Sequence, residues 1–255
     1  METNHAKLND GTSIQWTNYS FNPWSGCSKV SPGCQHCYAE TMSHRFPWIG
    51  KWGDNPRRIT SPDNWKKPIV WNRKAEAEGI RRKVFCASMA DVFEDRPELI
   101  EPRLRLFDLI RRTPALDWLI LTKRPQNIRT MIPEDWGEGY ENVWLGTSTE
   151  DQVRYDERID HLLAVPARCR FLSAEPLIGP IRIAHGAKEG LSWVIVGGES
   201  GPGFRPMDGA WARQIRDDCS ERGVTFFFKQ WAGLHPKALG NQLDGRTHLN
   251  WPLGV

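Results

Sequence analysis

The chain reads as an α/β protein whose template is a full or partial TIM-type (β/α) barrel, interrupted early by an irregular, basic, tryptophan-rich insertion. Three observations predict this class. From Lys83 onward short apolar runs recur: Val84-Phe85-Cys86-Ala87, Trp118-Leu119-Ile120-Leu121, Val143-Trp144-Leu145-Gly146, Arg170-Phe171-Leu172-Ser173, Trp193-Val194-Ile195-Val196 and Val224-Thr225-Phe226-Phe227-Phe228. Each is rich in β-branched and aromatic residues and lacks alternation, as strands buried on both faces do. Between runs lie amphipathic segments: Glu98 to Arg112 with Leu99, Leu106, Leu109 and Ile110 on one side, Asp151 to Leu163 with Val153, Ile159, Leu162 and Leu163, and Asp208 to Arg222 with Trp211, Ile215 and Cys219. Such alternation implies a parallel sheet, and its length suits a barrel. An open doubly wound sheet is the alternative, although no Gly-x-Gly-x-x-Gly follows a strand.

Taken in order, Ser13 to Thr17 alternates polar and apolar residues and predicts a first short strand. Asn22-Pro23-Trp24-Ser25-Gly26 breaks it and leads into a cysteine loop, after which a helix begins near Cys37 with Tyr38, Ala39, Met42 and Phe46 on its apolar face. Residues 43–74 read as an insertion of loops and short turns, because Pro47, Pro56, Pro62 and Pro68 interrupt any long element. Residues 234–255 have little apolar periodicity and read as a loop tail packed over one end. With 255 residues the expectation is one domain over 1–255, with 43–74 as its insertion.

Composition excludes some classes. The segment Met1 to Gly11 has no apolar run resembling a signal peptide, and no stretch approaches the roughly 18 apolar residues of a membrane span, so no membrane partner and a cytoplasmic location are expected. The net charge of +3 is mild. Its distribution is not: residues 43–74 hold eight basic residues (Arg45, Lys51, Arg57, Arg58, Lys66, Lys67, Arg73, Lys74) against Asp54 and Asp63, a net of +6. Trp48, Trp52, Trp65 and Trp71 lie among them. Cations interleaved with aromatic rings fit a surface that holds phosphates and stacks bases, hence a nucleic acid or nucleotide partner. They fit equally an insertion whose tryptophans pack inward while its lysines are solvated.

The chemistry concentrates in Cys27-Ser28-Lys29-Val30-Ser31-Pro32-Gly33-Cys34-Gln35-His36-Cys37. Three thiols this close can share one metal centre, and their odd number argues against a disulfide framework. A structural zinc site needs a fourth ligand, from His36, His44 or a distant residue. A four-iron cluster can be held by three thiolates with one iron left open. Cys86, Cys169 and Cys219 are scattered and read as buried apolar thiols.

The order Cys27, Cys34, Cys37 before a strand and helix repeat resembles the radical S-adenosylmethionine (SAM) enzymes, with two departures from their usual Cys-x3-Cys-x2-Cys: a six-residue first gap, and His36 where an aromatic is expected. More closely, Trp24-Ser25-Gly26-Cys27, Ser31-Pro32-Gly33-Cys34, Cys37-Tyr38-Ala39, Ser88-Met89-Ala90-Asp91-Val92-Phe93, Gly197-Gly198-Glu199-Ser200-Gly201-Pro202 and Phe227-Phe228-Lys229-Gln230-Trp231 resemble a phage and bacterial family of radical-SAM-like proteins with a three-cysteine motif. The resemblance implies a [4Fe-4S] cluster on Cys27, Cys34 and Cys37, SAM as cofactor, an external electron donor, and room for a partner protein that delivers substrate. It also implies Ser88 and Asp91 at the methionine amino group, Lys123 or Arg124 at its carboxylate, Thr147, Ser148 and Glu175 at the ribose, and Gly197-Gly198 as a backbone edge near adenine.

Position supports inspecting these residues, since a parallel barrel builds its site at the carboxyl ends of its strands. Polar residues follow each run there. Helix capping is the bland account, and it suits Ser148, Thr149 and Glu150. It explains Lys123, Arg124, Glu175, Glu199 and Lys229 less well, and Glu199 and Lys229 are the candidates for facing substrate. Two further readings remain: a zinc-binding structural or nucleic-acid-binding module, and a barrel hydrolase with a carboxylate pair such as Glu175 and Glu199.

Overall fold

A computed structural model describes residues 12, 14–46 and 49–252. Its centre is a seven-stranded, all-parallel sheet built from β1 (Tyr19–Ser20), β4 (Arg82–Cys86), β5 (Leu116–Thr122), β6 (Val143–Ser148), β7 (Cys169–Ala174), β8 (Trp193–Gly197) and β9 (Thr225–Gln230), in that spatial order. Two short strands, β2 (Trp24–Ser25) and β3 (Arg58–Ile59), pair apart from it. Chain order equals sheet order, so each crossover carries the chain to the next position. The crossovers hold α2 (Pro62–Glu78), α3 (Ile100–Arg111), α4 (Ile128–Met131), α5 (Gln152–Leu163) and α6 (Gly209–Arg222), while α1 (Tyr38–Arg45) follows the cysteine loop.

The sheet is curled into a half-barrel. In a flat sheet β1 and β8 would stand roughly 24 Å apart, yet the rings of Trp16, just before β1, and Trp193 on β8 are 6.4 Å apart. Alternation along the strands gives the curled sheet two different faces. Phe85, Leu119, Trp144, Phe171, Trp193 and Phe227 point to the concave side and form a floor with Trp16. Their neighbours Val84, Trp118, Leu145, Leu172, Val194 and Phe228 point outward into the layer under the helices. The floor needs Gly146, because a Cβ there would stand 2.4 Å from the Phe171 ring.

Expected and observed elements differ where local pattern and tertiary context disagree. The strand expected at Ser13 to Thr17 starts outside the described residues, and the pairing strand is Tyr19–Ser20. Trp16 turns into the floor, while Thr17 donates its hydroxyl to the Lys83 carbonyl at 2.8 Å. The insertion is not all loop, since α2 runs 17 residues through Pro68. Ser61 caps it, Pro62 occupies its first turn where no N–H is needed, and burial of Trp65, Pro68, Asn72 and Ala75 offsets the bond that Pro68 removes. Its described tryptophans do not form a stacking surface: Trp52 and Trp65 are buried and Trp71 stacks on Tyr19 at 4.4 Å. Trp48 and Pro47 lie outside the described residues.

The helix expected from Glu98 begins at Ile100 after a 3-10 turn, and Val153, expected inside, is exposed while Tyr155 takes the buried place. The tail contains a hairpin, β10 (Gln242–Leu243) with β11 (Arg246–Thr247). Beyond it the His248 carbonyl accepts the Phe228 N–H at 2.8 Å and Trp251 packs on Trp193, so the tail covers the free edge of β9. No helix among the described residues is long and apolar enough to cross a membrane.

Candidate functional site

The cysteine loop lies on the carboxyl rim of the half-barrel and is held there at both ends. At its start, Gly26 N–H donates to the Met89 carbonyl. The Ser28 N–H donates to Glu94 at 3.1 Å, and the Ser28 carbonyl accepts from Arg124 Nη2 at 2.8 Å. Farther on, the 3-10 turn Pro32–Cys34 sets Gly33 against Glu150, with the Gly33 N–H donating to Oε1 at 3.1 Å. A Cβ at Gly33 would meet that carboxylate at 2.9 Å, which explains the glycine.

Buried charges back this loop. Arg57 grips Glu94 with two nitrogens at 2.7 and 2.6 Å, and donates to the Ser28 hydroxyl at 2.7 Å and to the Gly53 and Asn55 carbonyls. Arg57 therefore belongs to the interior rather than to a phosphate-binding surface. Asp91 accepts from the Thr122 hydroxyl, the Lys123 N–H, the Phe93 N–H and Arg124. Glu150 accepts from Arg158 at 2.9 Å. Burial raises the Glu150 carboxyl, but Lys123, Arg158, the Ser31 hydroxyl and the Gly33 N–H outweigh it and hold it below the usual carboxylate range.

The three loop thiols are half-buried and free, whereas Cys86, Cys169 and Cys219 are buried. Burial, then the nearby Asp91 charge, pushes Cys27 up to about 12 against the pull of Arg124, whose Nη1 is 3.7 Å from its sulfur. Burial also raises Cys37, which stands at the N-cap of α1 where the Glu40 and Ala39 N–H groups oppose the rise. A charge on Cys34 acts on Cys37 in the same direction as burial. Three free thiols on one braced loop suit a centre that takes one thiolate per metal. Among the described residues no three His, Cys, Asp or Glu, the loop cysteines included, are gathered as ligands of one ion, and the His36 ring packs beside Gly203.

On the concave side, Lys229 Nζ donates to Glu175 Oε1 at 2.6 Å, and the Ser173 hydroxyl donates to Oε2 at 3.1 Å. Gly197 makes room for this pair, since a Cβ there would meet Glu175 Oε1 at 2.6 Å. Ser148 faces the same side and pairs with Ser173 in register. Ser88 meets the Ser20 hydroxyl and the Asn22 side chain, both at 3.1 Å, and its carbonyl accepts from Tyr38 OH.

Other candidates are turned elsewhere. Thr147 lies on the outward face, its hydroxyl donating to the Thr122 carbonyl at 3.0 Å, so it does not border the concave side with Ser148. Asp91 and Arg124 occupy each other and the loop. Gly198 has its N–H bonded to the Gln230 carbonyl and its own carbonyl to the Gln230 side chain, and the Gly197 carbonyl accepts from Leu177, so these glycines make room rather than present an open edge. Glu199 is buried and held by the Arg205 N–H at 2.8 Å, by Nε at 2.9 Å and by Nη2, so both of its oxygens are engaged by Arg205, whereas Glu175 is paired with Lys229. The cap of α5 is Asp151, not Ser148, Thr149 or Glu150.

The bracing residues Arg57, Glu94, Glu150 and Arg158 carry no local sequence signal for this role. Glu150 alone stands out afterwards, as an acid at a strand end whose capping position is already filled by Asp151.

Over residues 11–252 the sequence matches the family described as "Protein of unknown function (DUF5131)", and the chain belongs to that family. It has no match among curated proteins. Among solved structures it is similar to a spore photoproduct lyase mutant with dinucleoside spore photoproduct, at TM-score 0.49 and 12% identity over 86% of this chain and 65% of that one. A second mutant of the same enzyme, with bound AdoMet and dinucleoside spore photoproduct, gives TM-score 0.47 and 13% identity over 96% and 66%. The chain spans just under two thirds of the length of both.

Proposed function

We propose that this family member is an enzyme of the radical SAM type, in which Cys27, Cys34 and Cys37 hold a [4Fe-4S] cluster and SAM lies against the concave rim. The observation that carries this is the contrast among the six cysteines: three half-exposed thiols on a loop braced to the strand ends, three isolated and buried. When bound, such a cluster supplies one electron to the sulfonium of SAM and so starts hydrogen abstraction.

The chain's own residues do the rest. Arg57, Glu94, Arg124 and Glu150 fix the loop, and the N-terminus of α1 stabilises charge on Cys37. Lys123 offers its ammonium to the methionine carboxylate, and Ser88 lies on the amino side. Ser148 and Glu175 serve the ribose, while Lys229, oriented by Glu175, faces the substrate. A nucleic-acid-related substrate is supported by the exposed cations Arg45, Lys51, Arg58, Lys66, Lys67, Arg73 and Lys74, and not by Trp52, Trp65 or Trp71. Affinity for single-stranded nucleic acid that falls steeply with salt is its check.

The test of the main reading is anaerobic reconstitution with iron and sulfide, followed by dithionite and SAM. Brown protein with bound iron and sulfide, releasing 5′-deoxyadenosine, is expected, with both lost in Cys27→Ser. Colourless protein with stoichiometric zinc would overturn the reading.

A further inference from the structure

Arg124 holds a contact that none of the roles considered for it from sequence requires. Its guanidinium reaches two adjacent points of the cysteine loop at once, with Nη1 3.7 Å from Cys27 Sγ and Nη2 2.8 Å from the Ser28 carbonyl. Asp91 fixes it from behind at 2.9 Å, and Glu94 stands 3.5 Å from Nη2. Its side chain is 9% exposed. Swinging out to meet the carboxylate of a cofactor would leave Asp91 buried without its cation, a costly arrangement. Asp91 therefore keeps the guanidinium beside the Cys27 sulfur.

We infer that Arg124 is a positioning residue that holds Cys27 in place and raises the reduction potential of the cluster bound there. This rests on the reading that Cys27, Cys34 and Cys37 hold that cluster. An N–H directed at a ligand sulfur stabilises the reduced, more negative state over the oxidised one, and hydrogen bonds to sulfur are among the features that set such potentials. The guanidinium charge acts in the same direction, and more strongly in a site shielded from water. Asp91 and Glu94 act on the Cys27 sulfur in the opposite direction, so removing the Arg124 charge leaves the sulfur facing both carboxylates. The reduction adds one electron to the cluster, delivered by dithionite in the measurement, and no proton has to follow.

The experiment is a dithionite titration of the reconstituted full chain, followed by electron paramagnetic resonance of the reduced cluster, with iron and sulfide per chain measured on every sample. Arg124→Lys keeps the charge beside Asp91 but withdraws it from the sulfur, and Arg124→Gln removes the charge. The midpoint is expected to move to more negative potential in both, further in Arg124→Gln, with the melting temperature of the cluster-free protein recorded separately. Loaded variants with the wild-type midpoint would overturn the inference while leaving the cluster reading intact. Wild-type protein that binds no iron or sulfide would overturn both. If neither variant keeps a cluster, the wild type decides: with 15N-labelled arginine, electron-nuclear double resonance is expected to resolve a coupled guanidinium nitrogen, and its absence refutes the contact.

Discussion

Replacing Arg57 by Met tests whether the insertion's most deeply placed cation is part of the interior or of a binding surface. The two side chains of the Arg57–Glu94 pair are 0% and 5% exposed, and two nitrogen-oxygen contacts of 2.6 and 2.7 Å join them. Removing one partner of a buried pair costs about 3–5 kcal/mol, because the other charge is left uncompensated. Here Glu94 keeps the Ser28 N–H at 3.1 Å, Arg124 at 3.5 Å and Arg96 at 3.8 Å, and the freed Gly53 and Asn55 carbonyls sit on exposed residues that water can reach. The loss should fall at the lower end, about 3 kcal/mol, or a fall of roughly 6–12 °C in melting temperature. Urea unfolding at neutral pH measures it, with Lys66→Met as an exposed control that should change stability by less than about 0.5 kcal/mol. Adding Glu94→Gln to Arg57→Met removes the stranded charge and should restore part of the loss, a coupling of about 2 kcal/mol. A single-mutant loss below about 1 kcal/mol, or no coupling, would refute the argument from burial.

Three further outcomes follow from the same geometry. Glu150→Gln should lower stability most at neutral pH: a carboxyl held below its usual 4.5 contributes stability that is present above that value and lost as pH falls through the lowered one, so the variant and wild-type urea midpoints should converge in acid. Gly146→Ala puts a methyl group 2.4 Å from the Phe171 ring and should cost about 1–3 kcal/mol in chemical unfolding, partly recovered by Phe171→Leu. Cys86→Ala, Cys169→Ala and Cys219→Ala should each leave iron and sulfide per chain unchanged after reconstitution, whereas Cys34→Ser and Cys37→Ser should lose both.

The sheet was legible because its strands are buried on both faces, so each announces itself as an unbroken apolar run, and because each crossover leads to the adjacent strand. The helices showed within one or two residues where a side chain caps them, as Asp151 and Asp208 do. What failed to show was decided by neighbours distant in sequence. Pro68 argues locally for a loop, but the burial of Trp65, Asn72 and Ala75 overrides it. Composition counted Arg57, and strand-end position counted Arg124, as cations free to meet a ligand, although burial had already given them carboxylates and carbonyls. Pattern placed Glu175 and Glu199 in equivalent strand-end positions, and only the return of Arg205 onto Glu199 separates them.

The same reasoning explains why the cysteine loop was recognisable while its supports were not. The thiols lie within one short stretch, so their spacing is a local property. Their fixation is not: the bonds to Ser28 and Gly33 span 66, 96 and 117 residues, to Glu94, Arg124 and Glu150. No window of sequence contains both halves of such a contact, and none of these side chains differs in type from a solvated surface charge. Direction along a strand matters as much. Thr147 and Ser148 are adjacent and alike in chemistry, yet alternation sends one under the helices and the other to the concave face. Lys123 and Arg124 diverge similarly just past β5, where Arg124 turns to Asp91 and the Cys27 sulfur while the Lys123 charge acts on Glu150 and Cys37. The direction in which a strand-end cation turns is thus set by the acid that the fold has already placed beside it.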